Sequence, residues 1–213
     1  MTVQESSSVG AVGGLDLTGP RSEATKPSAR PLRRLPVQKD LLLPWRTVLD
    51  NAALGMEIQG VPMRAARERA LPLLQRYGLA GFEHLYPGSL SGGMRQRAAL
   101  LRTLLFDTDI ILLDEPFGAL DAQTKLQMQE WLLQLWHDFR KTVVFVTHDV
   151  EEAIFLGDEV VVMGTRPGRI LETTAVPVGR PRVRTAALSP EFLKIKERCL
   201  ALLNVSAAVT EAA

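Results

Sequence analysis

The sequence contains a single cysteine, Cys199, among 213 residues. One cysteine excludes an internal disulfide and a multi-cysteine metal site, and it is typical of a reducing compartment. No stretch approaches the roughly 18 consecutive apolar residues of a membrane span, and the first residues do not have the order of a signal peptide. We therefore expect neither feature, so that any role at a membrane would depend on a partner.

An excess of either charge is also missing, because 25 Lys and Arg residues face 24 Asp and Glu residues. This balance argues against a general basic field that would attract nucleic acid. The length and the 46% hydrophobic content are typical of a globular protein of one or two domains with a real core.

Residues 1–36 show little hydrophobic periodicity and contain four prolines, four glycines and five serines. This composition predicts a largely disordered leader that joins the folded part near Val37. A small helical unit is predicted over about residues 46–92, and it begins with a helix whose apolar residues recur at helical spacing. The end of the chain, 176–213, is predicted as an extension with a helix that starts at Ser189 and Pro190.

Short apolar strands alternate with helices from about residue 92 onward. The predicted helices cover about 92–106, 119–138 and 149–156, and the predicted strands cover 110–113, 142–146 and 159–163, with one further strand in the segment GRILETTAV. This alternation indicates an α/β fold with a parallel sheet covered on both faces. Ligands of such folds bind at the carboxyl ends of the strands.

Polar residues follow two of the predicted strands. Asp114 and Glu115 end the first, and Thr147, His148 and Asp149 end the next. Buried carboxylates need a compensating cation or substrate, and magnesium with a nucleoside triphosphate would supply both. The alternative is structural, since acids and histidines also cap the helices that follow strands.

The octet LSGGMRQR, residues 90–97, predicts an anion site. The two glycines leave backbone N–H groups accessible at a helix N-terminus, and the cations Arg95 and Arg97 are near in sequence. This combination favours the binding of phosphate.

These motifs together resemble the ATPase subunits of ABC transporters. LSGGMRQR matches the signature motif, DIILLDEPFGALD the Walker B motif with its D-loop, and TVVFVTHD the switch histidine. VQKDLLLPWRTVLDN resembles the Q-loop region, with wording similar to importers of the nitrate, sulfonate and taurine class. The resemblance covers about residues 37–175 and implies a P-loop NTPase fold.

Four residues would act in the ATP site of their own subunit if the resemblance holds. Asp114 would help to hold Mg²⁺, Glu115 would polarise the attacking water and His148 would contact the γ-phosphate. Gln38 would link Mg²⁺ and the water to the helical unit.

Four others would serve the site of a second ATPase subunit. Asp121 would lie across the dimer interface, and Ser91, Gly92 and Gly93 would bind the γ-phosphate of the ATP that the other subunit holds. The resemblance further implies membrane permease subunits as partners, no nucleic acid, and a peripheral position on the cytoplasmic face of a bacterial inner membrane.

One element of the resemblance is absent from these 213 residues, namely the phosphate loop G-x-x-x-x-G-K-[ST]. Lys141 is the only lysine that precedes Ser or Thr, but it introduces a predicted strand, whereas the loop follows one. We therefore expect an incomplete P-loop fold with part of its sheet uncovered and an own site that binds Mg-ATP poorly. Either a truncated or frame-disrupted subunit or a degenerate partner subunit explains this pattern.

Three functions compete on this basis. The first is an importer ATPase subunit that is inactive alone, and the second is a non-catalytic partner that completes the ATP site of an intact subunit. The third is an ATPase of DNA repair, which would require long coiled coils that are absent between Gln38 and Ser91.

Overall fold

The computed structural model describes residues 9–13, 42–106, 108–139, 141–164 and 168–211, with only the backbone over 9–13 and 205–211. The described helices are α1 (Val48–Ile58), α2 (Met63–Leu74), α3 (Gly92–Leu104), α4 (Ala122–Phe139), α5 (Val150–Leu156) and α6 (Pro190–Glu211). The described strands are β1 (Val9–Gly13), β2 (Ile110–Asp114), β3 (Thr142–Thr147), β4 (Glu159–Gly164) and β5 (Arg169–Ala175).

The five strands form one sheet in the order β2-β3-β1-β4-β5. β2 and β3 are parallel, as predicted, but β1 is antiparallel to both of its neighbours and β5 is antiparallel to β4. The sheet is therefore mixed rather than parallel throughout. The connection from β4 to β5 is too short for a crossover helix, so these two strands can pair only as a hairpin.

β1 lies within the segment 1–36, which the sequence predicts to be disordered. Composition predicted coil there, but pairing with β3 and β4 on both sides holds the backbone of Val9–Gly13 extended. Strand formation depends on such neighbours more than on intrinsic propensity. The prediction of a disordered leader therefore does not hold for these five residues, and residues 1–8 and 14–36 lie outside the described part.

The helical unit consists of α1, α2 and the turns that lead to α3. The predicted apolar stripe of α1 is buried, and it comprises Val48, Leu49, Ala52, Ala53 and Met56. The buried Asn51 side chain accepts a hydrogen bond from the Leu43 amide and donates to the carbonyls of Leu43 and Arg46. These bonds fix the turn that precedes α1 and carries Trp45.

The two faces of the sheet differ in burial. Ile111 and Leu113 of β2 are buried, whereas Ile110 is exposed and Leu112 is only half-buried. The alternation means that one face of this strand packs against the core more completely than the other. Full coverage of both faces, as a doubly covered sheet requires, is thus not seen in β2.

The C-terminal extension packs against the rest of the fold through α6. Ser189 accepts a hydrogen bond from the Phe192 amide, which confirms the predicted start of this helix, and Phe192 and Cys199 are buried.

Arg182 joins the extension to α5. Its guanidinium donates to the carbonyls of Ile154, Phe155 and Gly157, where α5 ends. Burial, together with the nearby Arg180, lowers the pKa of Arg182 to about 10, so the group stays charged at neutral pH. A cation at a helix C-terminus is electrostatically favourable.

Candidate functional site

The carboxyl ends of β2 and β3 bring the predicted polar residues together. Asp114 pairs with Val146 in the parallel register, and Thr147 ends β3 one residue later. Asp114, Glu115 and His148 therefore share one edge of the sheet, as the sequence predicted.

Glu115 and His148 form the central contact of this edge. The Nδ1 atom of His148 lies 3.2 Å from Oε1 of Glu115, and the side chains are 57% and 39% exposed. The Glu115 backbone has φ of 43°, a left-handed conformation that is costly for a residue other than glycine. Its amide donates to the Val146 carbonyl at 2.8 Å, which holds the carboxylate at the strand end. An accessible carboxylate beside an imidazole can accept and pass on a proton.

Asp114 is the acidic residue best placed to hold a cation. Its carboxylate is half-buried at the end of β2, adjacent to Glu115. The described residues contain no group of three or more His, Cys, Asp or Glu side chains that could hold a metal ion. Mg²⁺ does not need such a group, because it is commonly bound by one or two carboxylates together with water and substrate phosphates. The residues present fit that mode of binding.

The predicted anion site lies at the start of α3. Ser91 is the N-cap, and its hydroxyl accepts a hydrogen bond from the Met94 amide at 3.3 Å. Gly92 and Gly93 form the first turn, whose N–H groups have no acceptor within the helix. Arg95 stays at this end of the helix, since it donates to the Leu90 carbonyl at 2.7 Å.

Arg97 does not belong to the predicted anion site. Its guanidinium lies over the ring of Trp131 at 5.9 Å from the ring centroid, and it would meet a side chain placed at Gly78. The prediction that Arg97 supports the phosphate is therefore not met in this structure, because a helix turns by about 100° per residue and separates it from Arg95.

The N-termini of α3 and α4 lie close together. A Cβ atom on Gly93 would come within 3.1 Å of the Thr124 side chain, so the close approach favours glycine here. Asp121 caps α4 by accepting from the Thr124 amide at 3.0 Å. Hydrogen bonds from Thr124 hold the pKa of Asp121 below its ordinary value. The structure thus brings the first turn of α4, which Asp121 caps, next to Gly93.

Gln96 was missed by the sequence analysis. It is buried, and its amide donates to the Pro116 carbonyl at 2.6 Å. This bond ties α3 to the loop that follows Asp114 and Glu115. A polar residue on the inward face of α3 was the available signal.

A buried polar network behind His148 was also missed. Glu152 accepts hydrogen bonds from the Thr147 hydroxyl and, at 3.0 Å, from Gln129. Lys125 lies 2.8 Å from Asp149 and 3.4 Å from Glu152. The spacing of Asp149 and Glu152 matches a helix capping box, which could have marked Glu152 as a residue with a buried partner.

Gln38, predicted to contact Mg²⁺ and water, lies outside the described residues. No helix in the described part of the chain is both long and apolar enough to cross a membrane.

The fold and the sequence together define a class of protein. The ABC transporter family matches residues 7–118, and the chain belongs to this family. Its fold is that of the P-loop NTPase cassettes. The chain is 33% identical in sequence to a bacterial ABC transporter cassette solved as a dimer. The two structures match with a TM-score of 0.53, and the match covers 66% of this chain and 62% of the other. A post-hydrolysis state of an ATP-binding cassette, bound to ADP and phosphate, matches equally well at 32% identity.

The curated relatives are more similar in sequence. The chain is 49% identical over 167 residues to an uncharacterized ABC transporter ATP-binding protein of Methanocaldococcus jannaschii, a match that covers 78% of this chain and 61% of the relative. It is 46% identical over 172 residues to the taurine import ATP-binding protein TauB of Rhizobium johnstonii, covering 78% and 66%. The chain therefore spans somewhat less than two thirds of the length of these relatives.

The family match begins well before residue 37. It therefore includes part of the segment 1–36, which the composition predicts to be a disordered leader.

Proposed function

We propose that this chain is the ATP-binding subunit of an ABC importer, in which ATP hydrolysis drives uptake of a solute of the nitrate, sulfonate and taurine class. The contact between Glu115 and His148 at the ends of two parallel strands carries the proposal. The names of the taurine import relatives support the solute class.

The residues of the sheet edge have distinct roles in this proposal. Glu115 accepts the proton of the attacking water, and His148 orients Glu115 and contacts the γ-phosphate. Asp114 and Gln38 would hold Mg²⁺. Bound Mg²⁺ would neutralise charge on the β- and γ-phosphates.

The start of α3 serves a second ATPase subunit. Ser91, Gly92 and Gly93 offer a hydroxyl and first-turn amides, which suit a phosphate held by the other subunit. Asp121 lies beside them and faces the same interface in this proposal. Support comes from the dimeric state of the solved cassettes that the chain resembles.

The two halves of the proposed machinery are not equally represented in these 213 residues. No phosphate loop occurs in these 213 residues, so the chain's own site should hold Mg-ATP weakly and a homodimer should be inactive. The serine and glycines at the start of α3 can act on ATP held by another subunit, and this role needs no phosphate loop in the same chain. A non-catalytic role is therefore the second candidate, in which this chain completes the ATP site of an intact subunit.

Membrane permease subunits are the remaining proposed partners, at the cytoplasmic face of a bacterial inner membrane. Trp45 is 71% exposed, so it is available for this contact rather than packed within the helical unit. Asn51 fixes the turn that carries Trp45, so this turn presents an ordered apolar surface. The permease thus has a defined surface to contact, and nucleic acid has no part in the proposal.

The proposal is tested with a full-length ABC ATPase subunit that contains a phosphate loop and whose own signature serine and glycines are disabled. This subunit should hydrolyse ATP only when our chain supplies the serine and glycines at the start of α3. Replacing Ser91 by Phe should reduce the restored activity by about a hundredfold, the scale of losing a donor to transition-state charge. The exposed Ser89 is the matched control, and Ser89→Phe should retain activity.

Glu115→Gln separates the two candidate roles in the same assay. Retained activity means that the chain completes the partner's site, whereas loss with Glu115→Gln but not with Ser91→Phe means that it hydrolyses ATP in its own site. No restoration by the unaltered chain contradicts both.

A further inference from the structure

We infer that Thr147 and Glu152 are positioning residues that hold His148 against Glu115, and that Lys125 extends this hold to helix α4. The inference builds on the proposed role of His148, but its evidence and its main test are independent of nucleotide.

The Thr147 hydroxyl holds the backbone around His148 in place. Its hydroxyl donates to Glu152 and accepts a hydrogen bond from the Asp149 amide at 3.1 Å. The bond between Thr147 and Asp149 spans His148, so the backbone on both sides of His148 is fixed. Thr147 is 2% exposed, and water therefore does not compete for its hydroxyl.

Glu152 is the buried centre of the arrangement. Its carboxylate is 4% exposed and receives the Thr147 hydroxyl, the Gln129 amide at 3.0 Å and the Lys125 ammonium at 3.4 Å. A buried carboxylate with three donors has one well-defined position. Since Lys125 and Gln129 both belong to α4, the position of Thr147 is set from that helix.

Ordinary helix capping does not explain these contacts. In a capping box the Glu152 side chain would accept from the Asp149 amide. That amide donates to Thr147 instead, and Glu152 turns to Thr147 and α4. Helix α5 is already capped by the Asp149 carboxylate, which accepts from the amides of Glu151 and Glu152. The hydrogen bonds of Thr147 and Glu152 thus hold the segment that carries His148 rather than the end of helix α5.

Helix α4 starts at Ala122, directly after Asp121, and Lys125 lies in its first turn. The Lys125 amide donates to the Asp121 carbonyl at 2.8 Å, while its ammonium pairs with Asp149. One residue therefore connects the proposed interface acid to the segment that carries His148. In the proposed function, this links the edge offered to the partner with the chain's own histidine.

The test replaces the Thr147 hydroxyl and observes the ring of His148 by NMR of ¹⁵N-histidine-labelled full chain. Thr147→Val keeps the shape and removes both hydrogen bonds. Thr103→Val is the matched control, because Thr103 is another buried threonine, whose hydroxyl donates to the Ala99 carbonyl at 3.0 Å. The spectrum has two internal references, since the only other histidines are His84 and His137.

We expect Thr147→Val to shift or broaden the ring signals of His148 alone, and Thr103→Val to leave them unchanged. Hydrogen exchange at the Asp149 amide should accelerate by about tenfold or more, the scale of one net hydrogen bond. Thr147→Ser, which restores the hydroxyl, should recover both readouts.

Unchanged His148 signals in Thr147→Val, or equal changes in Thr103→Val, would overturn the inference. If Thr147→Val does not fold, Glu152→Gln takes its place, with Glu151→Gln on the same helix as control, and the same change in the His148 ring signals is expected. If the ring signals of His148 change as expected but our chain does not restore ATPase activity in the partner assay, the proposed function is contradicted and this inference is not.

Discussion

Replacing Lys125 by Met tests the buried charge network most directly. Helix α5 offers a matched pair of acids, since Glu151 pairs with Lys196 on the exposed surface and the buried Glu152 pairs with Lys125. Lys196→Met is therefore the control for Lys125→Met. Both variants lose one ammonium group beside α5. Lys125→Met takes the cation from the buried Glu152 and from Asp149, whereas Lys196→Met takes it from the exposed Glu151.

The expected costs differ severalfold. Removing one partner of a buried ion pair costs about 3–5 kcal/mol, whereas an exposed pair contributes about 0–1 kcal/mol. The Lys125 side chain is 23% exposed and Glu152 keeps its bonds from Thr147 and Gln129. We therefore expect a loss near the lower limit, about 3 kcal/mol, for Lys125→Met.

The pH dependence should change in a defined direction. Burial alone would raise the pKa of Asp149, but hydrogen bonds from Lys125 and from the Glu151 and Glu152 amides outweigh it, so this pKa lies below its ordinary value of 3.8. The stability that Asp149 contributes is complete above that value and is lost as pH falls through the lowered pKa. Lys125→Met should weaken this acid dependence.

Urea denaturation at neutral pH and again at about pH 2, below the ordinary pKa of 3.8, measures both effects through the free energy of unfolding. Equal losses for Lys125→Met and Lys196→Met would refute the reasoning, as would a loss below about 1 kcal/mol for Lys125→Met, the range of an exposed pair.

Three further variants test other parts of the fold. Arg182→Met should cost about 3–5 kcal/mol of unfolding free energy, because it removes a buried cation from three carbonyls at the end of α5, and a cost under 1 kcal/mol would contradict this. Burial, aided by the hydrogen bond to Asp138, raises the pKa of Tyr77 to about 12, so stability should fall between the ordinary pKa of 10.0 and that value. Tyr77→Phe should lose this alkaline decline, and an unchanged decline in alkaline urea titrations would contradict it. Glu115→Gly should leave stability unchanged or raise it by up to about 1 kcal/mol in thermal unfolding, because φ at Glu115 is 43°; a clear loss would show that the backbone there is not strained.

Much of the fold could be predicted because the pattern was local. The apolar runs of β2, β3 and β4 and the stripe of α1 are visible in neighbouring residues, and the structure places them within a few residues of the predicted bounds. The grouping of polar residues at the strand ends could be predicted from the same pattern, because parallel strands bring Asp114 and His148 to one edge of the sheet.

The parts that were missed depend on contacts between distant segments. β1 has no strand-like periodicity and is held by β3 and β4, which lie more than 125 residues further along the chain. Arg97 was grouped with Arg95 by proximity in sequence, although the helix places it over Trp131. Glu152 follows the exposed Glu151 in sequence, and its burial depends on contacts with Thr147 and with the distant helix α4, which a local pattern does not show.

Photolabelling with a nucleotide that carries its reactive group on the γ-phosphate shows whether the start of α3 meets ATP held by another subunit. The label is located by mass spectrometry in our chain, alone and mixed with a full-length subunit that has a phosphate loop. We expect labelling of the peptide that contains Ser91–Gly93 only in the mixture, because the partner must hold the ATP. Labelling of our chain in the absence of the partner, or labelling in the mixture that misses the start of α3, would contradict it.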